Sequence, residues 1–361
     1  MGLTAGYPCE DIAGEEKTMK AVRFHQHGGI EVLRYEDVPE PVAGPGEILV
    51  RVKACAINFL DIWERRGLPR VHLHLPHISG ADVAGVIESV GEDVSDLKAG
   101  DRTLISPGLS CMHCKACLHG RDNLCRRYSV LGFVTDGGYA EYVKVPAVNA
   151  LPCPSNLSFT EAAAVPLVFL TAWHMLVDRC RIKQGEDVLV LGAGSGVGSA
   201  AIQIAKYFRA RVITTAGSET KLQKARELGA DHVIDHSQQS IHEEVRRITH
   251  HRGVDIVVEH VGAATWQDSV NSLAYHGRLV TCGATTGHEA NIDLRLLFAR
   301  QLSVYGSYMG AKHELLEVLR LVRAGYLRPV VSQVLPLEEA GRGQQILEDR
   351  QHFGKVVLQV V

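Results

Sequence analysis

The chain reads as an α/β protein in which a β-rich, barrel-like domain is joined to a doubly wound parallel sheet. Three observations predict this. Short apolar runs broken by Pro and Gly fill the first third of the sequence. From about residue 157, strand and helix patterns alternate. Between one such strand and the next helix stands a glycine-rich turn from Gly192 to Gly198. The length of 361 residues is enough for two domains with cores, and 46% apolar and 22% charged residues suit a globular chain.

In order, residues 1–18 are polar and aperiodic. They read as a disordered extension, or as sequence upstream of a natural start at Met19. They lack the apolar core of a signal peptide. Runs at 19–24, 47–56 and 83–90 read as strands, punctuated by Pro39, Pro41, Gly44, Pro45, Gly46, Gly91 and Gly100. A helical pattern covers 161–178. Strands are then expected at 187–191, 211–215, 232–234, 255–259 and 277–282, with helices to 208 and at 219–228, 241–249 and 266–274. The tail carries a helix at 313–324 and a last strand at 355–361, which returns to the first domain. The division is 1–18 extension, 19–156 first domain, 157–299 parallel-sheet domain and 300–361 return segment.

Composition excludes several functions. A net charge of −3 with no basic run gives no electrostatic case for nucleic acid. No apolar stretch is long enough to span a bilayer. Nine cysteines, most scattered singly, suit a reducing cytoplasm rather than a disulfide framework.

Four of those cysteines are close in sequence: Cys111, Cys114, Cys117 and Cys125. Four thiolates at such spacing can close a tetrahedral zinc site with no position left open, which holds a loop and performs no chemistry.

The segment 187–198 is a strand feeding a glycine-rich turn and a helix N-terminus. Glycines allow close backbone approach, and free N–H groups with the helix dipole favour a pyrophosphate. The residues expected at the dinucleotide are Gly194, Ser195, Gly196, Val197 and Gly198. The alternating glycines miss the strict G-x-G-x-x-G spacing. The next strand ends at Ala216 where NAD sites place an acid. Ser218 and Lys221 suit the 2′-phosphate of NADP(H), although Ser218 also fits a helix cap and Glu219 is a nearby acid.

These residues resemble the medium-chain dehydrogenase/reductase superfamily over 19–361. Further support lies in Gly80-Ala-Asp82, Gly100-Asp101, Gly138-Tyr-Ala-Glu-Tyr142, Leu170-Thr-Ala-Trp173 and Gly354-Lys355. The resemblance implies a GroES-like barrel, a Rossmann domain, a return segment and a structural zinc at the four cysteines. It also implies three catalytic-zinc ligands, and here the chain departs. Asn58 stands where the first cysteine belongs, Ala81 replaces the histidine, and 164–168 offers no ligand; only Asp82 remains. His72, His74 and His77 precede Gly80, and strand alternation turns Cys55 away from Asn58.

Asn58 and Asp61 with Gly-Ala-Asp resemble the quinone oxidoreductase branch. That resemblance implies Asn58, Asp61 and Thr171 as catalytic residues, with Asn58 and Thr171 beside the nicotinamide. It also implies His236, Gly262 and Lys355 at the cofactor. The expected activity is NADPH-dependent hydride transfer to a quinone or α,β-unsaturated carbonyl, whose product anion is delocalised and needs no Lewis acid. Tyr308, Arg66 and His174 are proton-donor candidates by type. The alternatives are a zinc alcohol dehydrogenase with ligands drawn from Asp82 and nearby histidines, and a non-catalytic NADPH-binding protein. A homodimer or homotetramer is expected through an edge strand at 301–305.

Overall fold

The computed structural model describes residues 17–69 and 71–361. The expected extension lies almost entirely outside the described residues, and the first strand, Thr18–Phe24, begins one residue earlier than anticipated.

The first domain is built on a seven-stranded sheet. Its path runs Val331–Pro336, Lys355–Gln359, Glu47–Ala56, Asp82–Val90, Arg102–Ile105 and Ala150–Pro152, and Tyr142–Pro146 pairs with Glu47–Ala56. The return segment therefore supplies two strands, and Val357 lies opposite Ala56 in an antiparallel ladder. This pairing brings Lys355 back beside Ile57 and Asn58, about three hundred positions earlier in the chain. Alternation along Glu47–Ala56 buries Ile48, Val50 and Val52 in the barrel core with Val83, Ile87 and Tyr139. Cys55 belongs to the same core although it lies three residues past Val52, because the ladder shifts register between Val52 and Ala54; Ala54 and Ala56 face the other core.

The second domain is a parallel six-stranded sheet ordered His232–Asp235, Arg211–Ala216, Asp187–Val190, Val254–Glu259, Leu273–Thr281 and Ser303–Gly306. Numbered along the chain from Asp187–Val190, this is the order 3-2-1-4-5-6. The strand Ser303–Gly306 falls in the stretch set aside as the return segment, yet it is the free edge of this sheet. The parallel-sheet domain thus runs past 299.

The expected helix over 161–178 is in fact three pieces: Phe159–Ala163, Pro166–Trp173 and a wider π-type turn, His174–Arg179. Pro166 has no N–H to continue the first piece and is pre-set to start the second. The helix Pro166–Trp173 is apolar on nearly every face because it is buried between the domains. It joins Ala54 and Ala84 of the barrel to Val188 and Val258 of the parallel sheet in one continuous core.

Candidate active site

The cleft lies at the carboxyl ends of the parallel strands, where open α/β sheets bind ligands. Leu191 leads into Gly192, whose positive φ of 60° suits glycine. Ser195 caps the helix Gly196–Tyr207 by accepting a hydrogen bond from the Gly198 N–H at 2.8 Å. A Cβ on Gly198 would meet the Gly192 carbonyl oxygen at 2.2 Å. The working pair is therefore Gly192 and Gly198, six apart around a capping serine, which explains the irregular glycine spacing. The Gly354 N–H bonds the Gly194 carbonyl at 2.9 Å, so the return segment seals the turn against the barrel.

Opposite the turn is a buried polar cluster. The Lys355 ammonium donates to the Ile57 carbonyl at 2.8 Å, to Asn58 Oδ1 at 2.5 Å and to Asp82 Oδ2 at 3.0 Å. Asn58 Nδ2 also donates to Asp82 Oδ2 at 3.0 Å. The second Asp82 oxygen accepts the Leu167 N–H at 2.8 Å, capping the helix that carries Thr171. Asp82 is fully buried, and its hydrogen bonds and ion pair compensate its desolvation.

Behind this cluster, Asp61 Oδ2 accepts the Asn58 N–H at 2.9 Å and the Tyr139 hydroxyl at 2.7 Å. Burial pushes the Asp61 carboxyl up to about 6, against those two bonds. Glu64, one helical turn on, is raised well above its ordinary value, first by burial and then by Asp61.

The described wall of the cleft, about 210 Å³, includes Asn58, Phe59, Trp63, Thr171, Ser195 and Lys355. Asn58, Thr171, Ser195, Gly196, Val197 and Lys355 thus line one cleft. Asp61 does not reach the cleft: its carboxylate is spent on the Asn58 N–H and Tyr139, so it positions Asn58 instead of touching a substrate. Gly262 lines a neighbouring cavity, its N–H turned to the Glu259 carboxylate.

At the end of the second strand, Ser218 starts the helix Glu219–Glu227 with no side-chain capping bond, so its hydroxyl is not consumed by the helix. Gly217 packs against the His236 ring. Lys221 donates to the Arg350 carbonyl at 2.5 Å. Burial and the Arg350 charge lower Lys221, and burial lowers His236.

Of the proton-donor candidates, Tyr308 lines the cleft. Arg66 is paired with Glu348 at 2.9 Å, and His174 with Glu314 at 2.9 Å outside the cleft. One residue escaped the sequence reading. His260, just beyond the strand Val254–Glu259, contacts the Leu191 carbonyl at 2.9 Å and Ser195 Oγ at 3.2 Å; burial lowers its pKa. Its signal was positional: it follows the strand adjacent to the glycine turn.

The sulfurs of Cys111, Cys114, Cys117 and Cys125 lie within 4.8 Å of one another, with closer pairs at 3.6–3.9 Å. A tetrahedral zinc with Zn–S bonds near 2.3 Å separates its sulfurs by about 3.8 Å, so the set fits the ion. Among the described residues no other group of three or more His, Cys, Asp or Glu converges in this way. His77 is buried and bonds the Gly132 carbonyl at 2.8 Å, while His72 and His74 are exposed, so they assemble no second site with Asp82.

With this geometry in view, residues 44–155 match the alcohol dehydrogenase GroES-like domain and residues 196–324 match the zinc-binding dehydrogenase domain. The chain belongs to the medium-chain dehydrogenase/reductase superfamily and is an oxidoreductase of that group. It is 30% identical to a quinone oxidoreductase of Sus scrofa over 353 residues, 96% of this chain and 99% of that one. It is also similar to a solved NAD-dependent alcohol dehydrogenase, with 51% identity and a TM-score of 0.92, covering 95% of this chain and all of that one. A crotonyl-CoA carboxylase/reductase solved with NADP is 27% identical with a TM-score of 0.87, covering 95% of each chain. No helix among the described residues is long and apolar enough to cross a membrane.

Proposed function

We propose that the chain is an NADPH-dependent reductase of quinones or α,β-unsaturated carbonyls that works without a catalytic zinc. The observation carrying this reading is the Lys355 ammonium, 3.0 Å from Asp82 and 2.5 Å from Asn58. Where the superfamily resemblance calls for metal ligands, this chain has Asn58, Ala81 and Asp82, and its one carboxylate already holds a cation. A divalent ion there would face an ammonium at close range in a low-dielectric site.

Four features support NADP(H): Ala216 at the acid position, the uncapped Ser218 hydroxyl, and the side chains of Lys221 and His236. The Gly192–Gly198 turn supplies N–H groups for the pyrophosphate. Bound there, the reduced dinucleotide supplies a hydride from C4 of its nicotinamide. Phe59, Leu60, Trp63 and Leu167 keep the cleft apolar. Among the described residues, no hydrogen bond occupies the Thr171 or Tyr308 hydroxyl, so both are free to donate to the acceptor oxygen as negative charge develops. Lys355 and Asp82 hold the Asn58 side chain in one orientation. Two copies pairing along the free edge Ser303–Gly306, and a cytoplasmic location, complete the reading.

A second reading, an NAD-dependent alcohol dehydrogenase, is favoured by the 51% identity to a structure of that name. Elemental analysis of purified protein, paired with oxidation of NADPH and NADH by quinones and enones, separates the two. The reductase reading expects about one zinc per subunit, four cysteines sharing one ion, and turnover with NADPH. A second, activity-linked zinc with turnover of alcohols and NAD would put the dehydrogenase in its place. Tight NADPH binding with no turnover on any acceptor would mark a non-catalytic binding protein.

A further inference from the structure

The helix Phe59–Arg66 presents Phe59 and Trp63, one turn apart on the same face, to the reduction cleft. Their rings meet edge to face, 5.7 Å apart at 69°. Trp63 is the largest side chain in the described wall. The helix beneath it is pinned at both ends. At its start, the Asn58 N–H is held by Asp61 at 2.9 Å. Near its end, Arg65 is 1% exposed and donates to Gln344 at 2.6 Å, to the Gly28 carbonyl at 2.9 Å and to Glu348 at 2.6 Å. Moving the helix would strand a buried guanidinium, which is costly. The Trp63 wall is therefore a rigid limit.

A dry apolar cavity of about 150 Å³ accepts one benzene ring. The cleft offers about 210 Å³ and must also take the nicotinamide. That leaves space for one small ring or a short chain. A second, fused ring would have to displace the wall.

Charge is excluded as well. Lys355 is the one formally charged side chain in the described lining. An ammonium has three N–H donors, and Lys355 spends all of them on Ile57, Asn58 and Asp82. Burial lowers His260 and His352, which keeps both rings neutral near pH 7. No cation is left in the lining to compensate the desolvation of an anionic acceptor. The Thr171 and Tyr308 hydroxyls serve a neutral carbonyl oxygen and do not replace a counter-ion.

Resting on the quinone and enone reductase reading, we infer that Trp63 is the specificity-determining residue of this cleft and limits the acceptor to an uncharged single ring or short open chain. Fused-ring quinones and anionic acceptors are turned away. The electron balance is that of the parent reading. NADPH gives up a hydride and becomes NADP⁺. A quinone takes the hydride and one proton and becomes a hydroquinone. An enone takes the hydride at its β-carbon and a proton at its α-carbon, and its C=C bond becomes single.

The test compares toluquinone with menadione, which differ by one fused ring, in NADPH-dependent reduction. Wild type is expected to favour toluquinone by about tenfold or more in kcat/KM, the scale of steric discrimination in an apolar pocket. Toluquinone is also the stronger oxidant, so the decisive quantity is the change in that ratio on mutation. Trp63→Ala should shift it towards menadione by about tenfold or more, and Trp63→Phe should fall between. Benzoquinone sulfonate is more electron-poor than toluquinone yet anionic, and it should trail toluquinone by about tenfold. Menadione reduced by wild type as well as toluquinone overturns the size limit, and so does a ratio that neither variant moves. Sulfonate turnover equal to that of toluquinone overturns the charge limit. Calorimetric binding of cyclohexanone and α-tetralone to the NADP⁺-loaded protein needs no turnover and keeps the two readings apart. Failure to reduce any quinone or enone sinks the parent reading. The size limit then stands if wild type binds cyclohexanone alone and Trp63→Ala gains tetralone. Equal binding of both ketones by wild type overturns it.

Discussion

The four-cysteine loop and the Asn58–Asp82–Lys355 cluster are the two polar centres of the barrel domain, and they are assembled in opposite ways. The first uses fifteen nearly consecutive residues, and its chemistry can be read from spacing alone. The second joins residues up to 297 positions apart, and its cation arrives on the last strand of the chain. The first gathers four thiolates that need a metal. The second has one carboxylate already neutralised by an ammonium. Within one superfamily scaffold, a cation-binding centre can thus be closed by a side chain as well as by an ion. Three measurements press on that contrast.

The largest effect is expected at Lys355. Lys355→Met removes the ammonium and leaves Asp82, at 0% exposure, with an unpaired charge. Breaking one side of a buried ion pair costs about 3–5 kcal/mol, so the urea midpoint should fall sharply. Adding Asp82→Asn should restore part of that loss, because the stranded charge goes with it. A single variant within 1 kcal/mol of wild type would mean that the pair does not organise this centre; the threshold is about the worth of one hydrogen bond.

The loop should respond differently. Cys114→Ser opens a clip that spans residues 111–125, and closing a loop of that length is worth about 3 kcal/mol in the chain-entropy account. Zinc content and melting temperature should fall together, while turnover per folded molecule stays within about twofold of wild type, a change under 0.5 kcal/mol. Loss of turnover in a variant that remains folded at the assay temperature would move the loop from scaffold to chemistry.

What the sequence disclosed follows the same division. The glycine turn, the alternating strands and helices and the cysteine loop are local patterns, and most lie where their pattern placed them; an exception is the expected helix over 266–274, which ends at Asn271 because the strand Leu273–Thr281 begins four residues earlier than anticipated. The break at Pro166 was also written in the chain, but a run of apolar residues on every side concealed it until the helix was seen wedged between two domains. Asp61 looked catalytic because, with Asn58, it resembles the quinone oxidoreductase pattern. The Asn58 N–H, three residues earlier, makes it a support for Asn58, and the Tyr139 hydroxyl, 78 positions later, adds a second bond to the same oxygen. His260 has no motif at all; it matters because parallel pairing sets its strand beside the first glycine turn. Ion pairs and cavities made from distant segments leave no spacing to read.

The smallest effect concerns that support and separates it from the ion pair in front. Asp61 has a folded value raised to about 6, mainly by burial, against an unfolded value near 4. Between about pH 4 and pH 6 the native state keeps a proton that the unfolded chain releases. The contribution of this group to stability therefore falls as pH rises through that window, and levels off above it. Asp61→Asn cannot titrate, yet its carbonyl oxygen can still accept from the Asn58 N–H and the Tyr139 hydroxyl. His77, His260 and His352 shift in the opposite sense, held down by burial, with His352 at about 4. They weaken both proteins alike as pH falls and cancel in the comparison. The stability of the variant relative to wild type should thus climb by on the order of 2 kcal/mol from pH 4 to pH 6.5, and a further rise above that range belongs to Glu64, whose carboxyl is held up partly by the Asp61 charge. The amide nitrogen replaces Asp61 Oδ1, which has no partner, and that adds a pH-independent offset of about 1–3 kcal/mol against the variant. Only the slope carries the test. A flat difference across the whole range would mean that Asp61 is ionised throughout, and that the Lys355 ammonium reaches further into the barrel than its three direct bonds indicate.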